Sequence, residues 1–214
     1  MANNKSPLEG TLLSELDVEH KKQFEAFVRA EPNNAFRVFV VRLYDKYWQY
    51  NNDYFGGELF IPTYITLGNP KGNKVLGCYS SISSWGGSSE IRIRQRIFER
   101  EHPAVKYFKE SAGVDRFMFD ILLHEMVHQF QHEIAYCPEK SYGNGHGPAF
   151  AAQCNRISDL LGIEQRVRDC KKRGKNKHLP PCTEWPHCVR PDGYYGEIEE
   201  QPERQPKDAT QADA

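Results

Sequence analysis

The sequence predicts an α+β domain with a small twisted sheet and an irregular C-terminal extension. Three observations favour this class: helix-like hydrophobic spacing lies in both halves of the chain, short strand-like runs lie between, and regular spacing ends near Arg166. A chain of 214 residues is long enough for one such domain with appendages. We assign residues 33–165 to this domain, 1–32 to an N-terminal helical segment and 166–196 to the extension.

Two helices are expected before the sheet. Asp17 can cap a helix that runs to about Ala30, and Asn33 or Asn34 can cap a longer one. Apolar residues recur at helical spacing in the longer helix: Phe36, Phe39, Val40, Leu43, Tyr47 and Trp48. This helix should end near Gly56, because glycine adopts the left-handed conformation that is common at helix ends.

The sheet is predicted from three strand-like runs. They extend from Tyr64 to Leu67, from Val75 to Ile82 and from Glu90 to Arg94. Gly, Pro, Asn and Ser residues separate them, as is typical of turns between strands. Because all three runs are short, we expect a small sheet.

Two further helices are predicted after the sheet. The stretch from Phe117 to Phe130 is apolar nearly all round, so this helix should be buried. Pro148 is suited to the first position of the next helix, since the N–H that proline lacks would be unbonded there anyway. The polar residues inside the buried helix therefore need a functional explanation.

Charge and composition limit the partners and the compartment. A formal net charge of -1 gives no strong overall field toward nucleic acid or membrane. No segment has the apolar length of a membrane span or the pattern of a signal peptide, so we expect a soluble cytoplasmic protein, or a nuclear one in a eukaryote, with no membrane partner. Six cysteines are too sparse for a disulfide scaffold. Residues 197–214 form an acidic tail that we expect to be disordered.

The buried helix contains the motif His124-Glu125-Met126-Val127-His128. Residues four apart lie on one face of a helix, about one turn apart, so the two imidazoles can converge on one cation. Glu125 lies beside them and can act as general base on a water molecule at the site. Burying these three polar side chains without partners would be costly, which favours a catalytic zinc site over three core residues.

A tetrahedral catalytic zinc site needs a third protein ligand, and three residues compete for that role. His132 lies roughly 12 Å along the helix axis from His124, too far to share one ion with it. Glu139 lies in a Cys-Pro-Glu-Lys sequence, which is typical of a solvated turn. His146 lies between two glycines, which let the backbone approach the site closely. We favour His146 and keep Glu139 as the alternative.

The motif HEMVH followed by GHGPAF resembles the SprT-like metallopeptidases, a family that includes bacterial SprT and the DNA-protein crosslink protease Spartan. The similarity continues upstream in YFGGEL, LGCY and IRI and covers roughly residues 36–162. It implies a zincin-like metallopeptidase fold for residues 33–165 and zinc-dependent endopeptidase activity on a protein substrate. It also implies that His124, His128 and His146 bind one catalytic Zn²⁺ ion and that Glu125 is the general base.

The extension departs from bacterial SprT proteins, which typically end in a zinc ribbon with paired CxxC motifs. This chain has no CxxC motif, but Cys170, His178, Cys182 and Cys188 are candidate ligands for a second, structural zinc ion. Free thiols in a loosely ordered segment are the alternative.

A basic run in the extension is a candidate nucleic-acid contact. Its members are Lys171, Lys172, Arg173, Lys175 and Lys177, with Trp185 close behind. Lysine and arginine neutralise phosphates and tryptophan stacks on bases, so the run is suited to DNA, although a solvated basic linker has the same composition. A repair role does not transfer with the protease motif, because Spartan's role depends on DNA contacts outside it.

We therefore predict a zinc-dependent endopeptidase, with DNA-bound or DNA-crosslinked proteins as a candidate substrate class. One alternative is a non-hydrolytic nucleic-acid-binding protein with a structural zinc, but such a site needs no general base. Another is a deformylase-like metal hydrolase in which Cys78 completes the metal site. Tyr136 and Tyr142 are candidates for stabilising a developing oxyanion.

Overall fold

The computed structural model describes residues 15–30, 36–59, 63–72, 74–81, 89–137, 139, 145–171 and 176–199. Several predicted features lie outside these ranges. They are Asn33 and Asn34, the basic residues Lys172, Arg173 and Lys175, the oxyanion candidate Tyr142, and residues 200–214 of the predicted tail 197–214.

Two N-terminal helices form, but their starts differ from the prediction. Asp17, the predicted cap, lies within the first helix, and the second helix has Phe36 at its N-cap instead of Asn33 or Asn34. Helix α1 spans Glu15–Ala30 and helix α2 spans Arg37–Phe55. Gly56 follows α2 in the left-handed conformation, with φ of 63°. Only glycine adopts this geometry without a steric cost, so the position of this glycine sets the end of α2.

The sheet has three strands within the described residues. Strand β1 spans Tyr64–Gly68, β2 spans Gly77–Ser80 and β3 spans Glu90–Arg94. Their order is β1-β3-β2, with β1 parallel and β2 antiparallel to the central β3. The β2 strand is shorter than its apolar run and lies at the edge of the sheet, where it borders the candidate site.

Helix α4 lies at the centre of the molecule. A short helix α3 spans Gln95–Phe98, α4 spans Ser111–Glu133 and α5 spans Pro148–Leu160. Helix α4 packs against β2, β3, α2 and α5, so it is buried on almost every side, as its sequence predicts. It begins earlier than the predicted Phe117 because Val114 also joins the core. The class is therefore α+β with a small sheet.

The C-terminal extension is irregular, but it is not a loosely attached segment. Its described residues contain two short 3-10 turns, Cys182–Glu184 and His187–Val189. Four of its apolar side chains join the core of the domain: Val167, Cys182, Trp185 and Val189. We call residues 181–199 the C-terminal strap, because they contact α4 and α5. The strap includes residues 197–199, which were predicted to begin the disordered tail but are hydrogen-bonded to residues 107–109.

A buried ion pair fixes the strap to α4. Arg190 of the strap binds Asp120 of α4 through Nε and Nη2, at 2.9 and 2.5 Å. Tyr195 donates its hydroxyl hydrogen to the same carboxylate at 2.7 Å. Asp120 is fully buried, so loss of any partner would leave a charge or a polar group uncompensated.

No helix within the described residues is long and apolar enough to cross a bilayer.

Candidate metal centre

Three histidine side chains converge beside α4. His124 and His128 lie one turn apart on the helix, and His146 lies two residues before α5 begins. Nε2 of His146 is 3.0 Å from Nε2 of His124 and 3.2 Å from Nε2 of His128. Among the described residues, this is the one group of His, Cys, Asp and Glu side chains close enough to share a metal ion.

The spacing of these nitrogen atoms fits zinc. With Zn–N bonds of about 2.05 Å and tetrahedral angles, neighbouring ligand nitrogens lie about 3.3 Å apart. The two measured separations, 3.0 and 3.2 Å, are close to this value. Three nitrogen ligands and one remaining position are typical of catalytic rather than structural zinc.

Hydrogen bonds on the far side of the rings orient the nitrogens. Nδ1 of His124 donates to the backbone carbonyl oxygen of Trp185 at 2.7 Å, and Nδ1 of His128 faces Oε1 of Gln131 at 3.3 Å. A proton on Nδ1 leaves the lone pair on Nε2, which is the tautomer that a metal ligand needs. The ring of Phe150 packs against all three imidazoles, with centroid distances between 4.4 and 5.0 Å.

The protein environment keeps the imidazoles neutral. Burial, with a contribution from the nearby His146, lowers the pKa of His124 to about 3. Burial also lowers the pKa of His128 well below its ordinary value. Neutral imidazoles bind metal ions without first losing a proton, so the site is prepared for a cation.

Glu125 is a buried carboxyl group beside the histidines. It is 5% exposed, and burial raises its pKa to about 8 although the backbone N–H of Tyr79 donates to it. A cation bound at the histidines would favour its charged form. Gly77 of β2 makes room for this side chain, since a Cβ atom at Gly77 would lie 2.9 Å from Oε1 of Glu125 and 2.6 Å from Ile121.

Glu139 is the alternative third ligand, and its sequence indicates a residue in a solvated turn. In the structure it is instead hydrogen-bonded to the start of α5. Its carboxylate accepts hydrogen bonds from the backbone N–H groups of Ala149 and Phe150, both at 3.0 Å. These groups belong to the first turn of α5, where N–H groups have no partner within the helix. Glu139 thus caps α5 and holds the segment that carries His146. A side chain at Gly147 would collide with this carboxylate.

The three histidines and Glu125 open into a cleft of about 450 Å³. Residues 74–79, which include part of β2, form one wall, and Thr183, Trp185 and His187 of the strap form another. His132 also lines the cleft but lies outside the group that can share an ion, as the helix rise predicts. Tyr136, one oxyanion candidate, is exposed after the end of α4.

The residues predicted to bind a second zinc ion do not come together. Sγ of Cys182 faces the backbone oxygen of His146 at 3.6 Å, and Sγ of Cys188 faces that of Pro181 at 3.9 Å. His178 is exposed and Cys170 is half-buried. Within the described residues, these four side chains do not form a group of three or more whose ligand atoms are close enough to share an ion.

The predicted stacking role of Trp185 is wrong. Its side chain is 1% exposed, and its indole N–H donates to Oγ of Ser158 at 2.9 Å. A buried ring cannot stack on a base. Lys171 and Lys177 are exposed, so these two members of the basic run remain accessible.

Cys78 does not complete the metal site. It lines the cleft, but its sulfur is not part of the group that can share an ion. Burial raises the pKa of its thiol, which disfavours the thiolate that binds metals.

Sequence reasoning missed the contribution of the strap. The carbonyl of Trp185 orients His124, and the His187 ring lines the cleft. A main-chain acceptor leaves no signature in a sequence. The aromatic and charged residues between Trp185 and Tyr195 were the available signal that this segment packs against the domain.

Comparison of the chain with family models, curated proteins and solved structures finds no match. The resemblance to the SprT-like metallopeptidases therefore stays a prediction, and the chemistry of the site has to be argued from its geometry.

Proposed function

We propose that this protein is a zinc-dependent endopeptidase with a zincin-like site. The observation that carries the proposal is the convergence of three Nε2 atoms at 3.0 and 3.2 Å beside a buried glutamate. The SprT-like motif pair supports it independently, because in that family the same residue types bind zinc and activate water. An open cleft at the site favours catalysis over a structural role.

The residues divide the chemistry of peptide hydrolysis among them. His124, His128 and His146 would hold the zinc ion, which when bound polarises a carbonyl and acidifies water. Glu125 accepts a proton from the attacking water and passes it to the leaving amine. Burial raises the pKa of Glu125 in the metal-free protein, and a cation held by the three histidines would favour the carboxylate that accepts the proton.

The cleft offers a place for an extended peptide. Strand β2 is at the edge of the three-stranded sheet within the described residues, and it forms part of the wall next to Glu125. An edge strand presents backbone groups to which a peptide can add as a further strand. Recognition through the backbone suits an enzyme that cleaves within a protein chain.

Two rival functions fit less well. A non-hydrolytic protein with a structural zinc would not need Glu125, whose burial destabilises its charged form. A deformylase-like enzyme would need the sulfur of Cys78 beside the three histidines, but Cys78 is not part of that group. Proteins bound or crosslinked to DNA are kept as the proposed substrate class, on the resemblance and on the exposed Lys171 and Lys177.

Substitution of Glu125 by glutamine tests the function. Gln keeps the shape of the side chain but cannot accept the proton, so Glu125→Gln should retain one zinc per chain while proteolysis falls by about 10²–10⁴-fold. Zinc is measured by mass spectrometry, and proteolysis with denatured casein and with a DNA-binding protein, with and without single-stranded DNA. Near-normal cleavage by the variant would sink the mechanism, and cleavage that ignores DNA would remove the DNA-linked substrate class.

A further inference from the structure

The His187 side chain lines the cleft, and one of its two ring nitrogens is held by the protein. Nδ1 lies 2.7 Å from the hydroxyl oxygen of Tyr195. Tyr195 gives its only hydroxyl hydrogen to Asp120, which Arg190 also binds. The Tyr195 oxygen can therefore only accept from His187, so the imidazole carries its hydrogen on Nδ1 and a bare lone pair on Nε2.

The surroundings of His187 keep the ring in this form. Its face stacks on Phe117, with centroids 4.1 Å apart and an angle of 20° between the rings. Burial, which outweighs the opposing effect of Asp120, lowers its pKa to about 4, so the neutral ring dominates near pH 7. Within the described residues, Nε2 has no hydrogen-bond partner, and the ring lines the cleft that contains the three histidines.

The choice of residue is informative. A phenylalanine at this position would stack on Phe117 equally well and would avoid the cost of burying an imidazole. The bond to Tyr195 accounts for Nδ1 of the histidine, which phenylalanine lacks. Neither that bond nor the stack on Phe117 accounts for the second ring nitrogen, Nε2.

The position along α4 indicates what Nε2 would contact. Phe117 precedes His124 by seven residues, which is about two turns or 10 Å along the helix axis. An extended peptide rises about 3.3 Å per residue, so a chain whose reacting bond lies at the three histidines passes His187 about three residues away. The backbone N–H of a peptide is the donor that every sequence supplies there, except at proline.

Resting on the proposed peptidase function, we propose that His187 is a substrate-binding residue whose Nε2 accepts a hydrogen bond from a backbone N–H of the bound peptide, about three residues from the cleaved bond. The residue thereby selects against proline at that position of the substrate. Tyr195 and Asp120 are its positioning residues, because they fix the tautomer.

Binding of peptide hydroxamates to the zinc-loaded protein tests the proposal without relying on catalysis. A hydroxamate chelates zinc, and a tripeptide or tetrapeptide attached on either side of it extends along the cleft. Each backbone N–H is replaced in turn by N–CH₃, and Kd is measured by calorimetry for wild type and His187→Phe. His187→Phe keeps the stack on Phe117 but has no acceptor.

We expect one N-methyl position to weaken binding to wild type about tenfold and binding to His187→Phe less than twofold. Glu184→Ala, an exposed change in the strap at a residue that does not line the cleft, should keep the wild-type discrimination. If His187→Phe does not fold, His187→Gln serves instead, since its carbonyl oxygen can replace Nε2 and should preserve part of the discrimination.

Equal N-methyl penalties in wild type and His187→Phe at every position would overturn the proposal. Failure of both hydroxamate series to bind wild type would overturn it as well, because no peptide would then occupy the cleft. Failure of the peptidase function shows separately, as intact casein in the presence of wild-type protein and zinc.

Discussion

The backbone carbonyl oxygen of Trp185 lies 2.7 Å from Nδ1 of His124, although 61 residues separate the two in sequence. The contact makes the strap part of the candidate metal centre, because it fixes the tautomer and the orientation of one proposed ligand. Trp185 is itself held by the hydrogen bond from its indole to Ser158.

Removing Ser158, which accepts the hydrogen bond of the Trp185 indole, should make the orientation of His124 less fixed. Ser158→Ala leaves the Trp185 N–H buried without a partner, so we expect a loss of about 1–3 kcal/mol in the free energy of unfolding and a several-fold weaker zinc affinity. Urea unfolding and competition with a chelator measure the two effects. Thr183→Ala, an exposed change nearby, should alter neither. Unchanged zinc affinity in a destabilised Ser158→Ala would show that the strap does not orient His124.

The third ligand can be separated from its two competitors by zinc content. His146→Ala leaves two imidazoles and should lose zinc on dialysis, whereas His132→Ala should keep it. Glu139→Gln should lower stability by about 1 kcal/mol, because it weakens the cap of α5, yet retain one zinc per chain. Retention of zinc by His146→Ala with loss from Glu139→Gln would reverse the assignment.

A methyl group at Gly77 should disturb Glu125, the proposed general base. The new Cβ would lie 2.6 Å from Ile121 and 2.9 Å from Glu125, and neither neighbour can move out of the core freely. We expect Gly77→Ala to lower Tm by several degrees and to reduce proteolysis more than it reduces zinc binding. The control is Gly68→Ala, whose Cβ would meet only the flexible side chain of Arg92, at 2.9 Å. Equal losses of Tm and of proteolysis in Gly77→Ala and Gly68→Ala would contradict the close approach of Gly77 to Glu125 and Ile121.

The burial of Glu125 predicts that the metal-free protein loses folding stability as the pH rises. Its pKa rises from 4.5 to about 8, so the stability contributed by the protonated form is full below pH 4.5 and is lost as the pH rises to about 8. Glu125→Gln avoids the loss. With zinc removed, the variant should gain on the order of 3 kcal/mol over wild type between about pH 5 and pH 8. Thermal unfolding with chelator present measures it, and a difference that does not change with pH would refute it.

The basic run can be tested for DNA binding with point variants. Deleting everything from Arg166 onward is unsuitable, because that would remove Trp185 and Val189 from the core. Lys171→Ala with Lys177→Ala should instead weaken single-stranded DNA binding and reduce its dependence on salt, by about one unit of slope for each phosphate that a lysine no longer neutralises. Fluorescence anisotropy over a range of salt concentrations measures this. Wild-type protein without salt-sensitive affinity would leave the run as a linker.

The sequence by itself determined the elements and the centre of the site. Helical spacing, the glycine after α2 and the proline that begins α5 are local signals, so the four long helices and the three strands could be predicted from their own residues, whereas α3 and the two 3-10 turns were not predicted. The pair His124 and His128 could also be predicted, because four residues always make about one helical turn. The distance between His124 and His132 follows from the same rise.

Only the tertiary structure decided how distant segments meet. It brought His146 to the pair on α4, turned Glu139 from a predicted solvated residue into the cap of α5, and buried Trp185. It also placed His187 in the cleft. These outcomes depend on packing between residues far apart in the chain. The hydrophobic effect that drives such packing is non-directional, so it does not by itself specify which distant residues meet. Local periodicity therefore reports which residues are buried, whereas the fold decides what they are buried against.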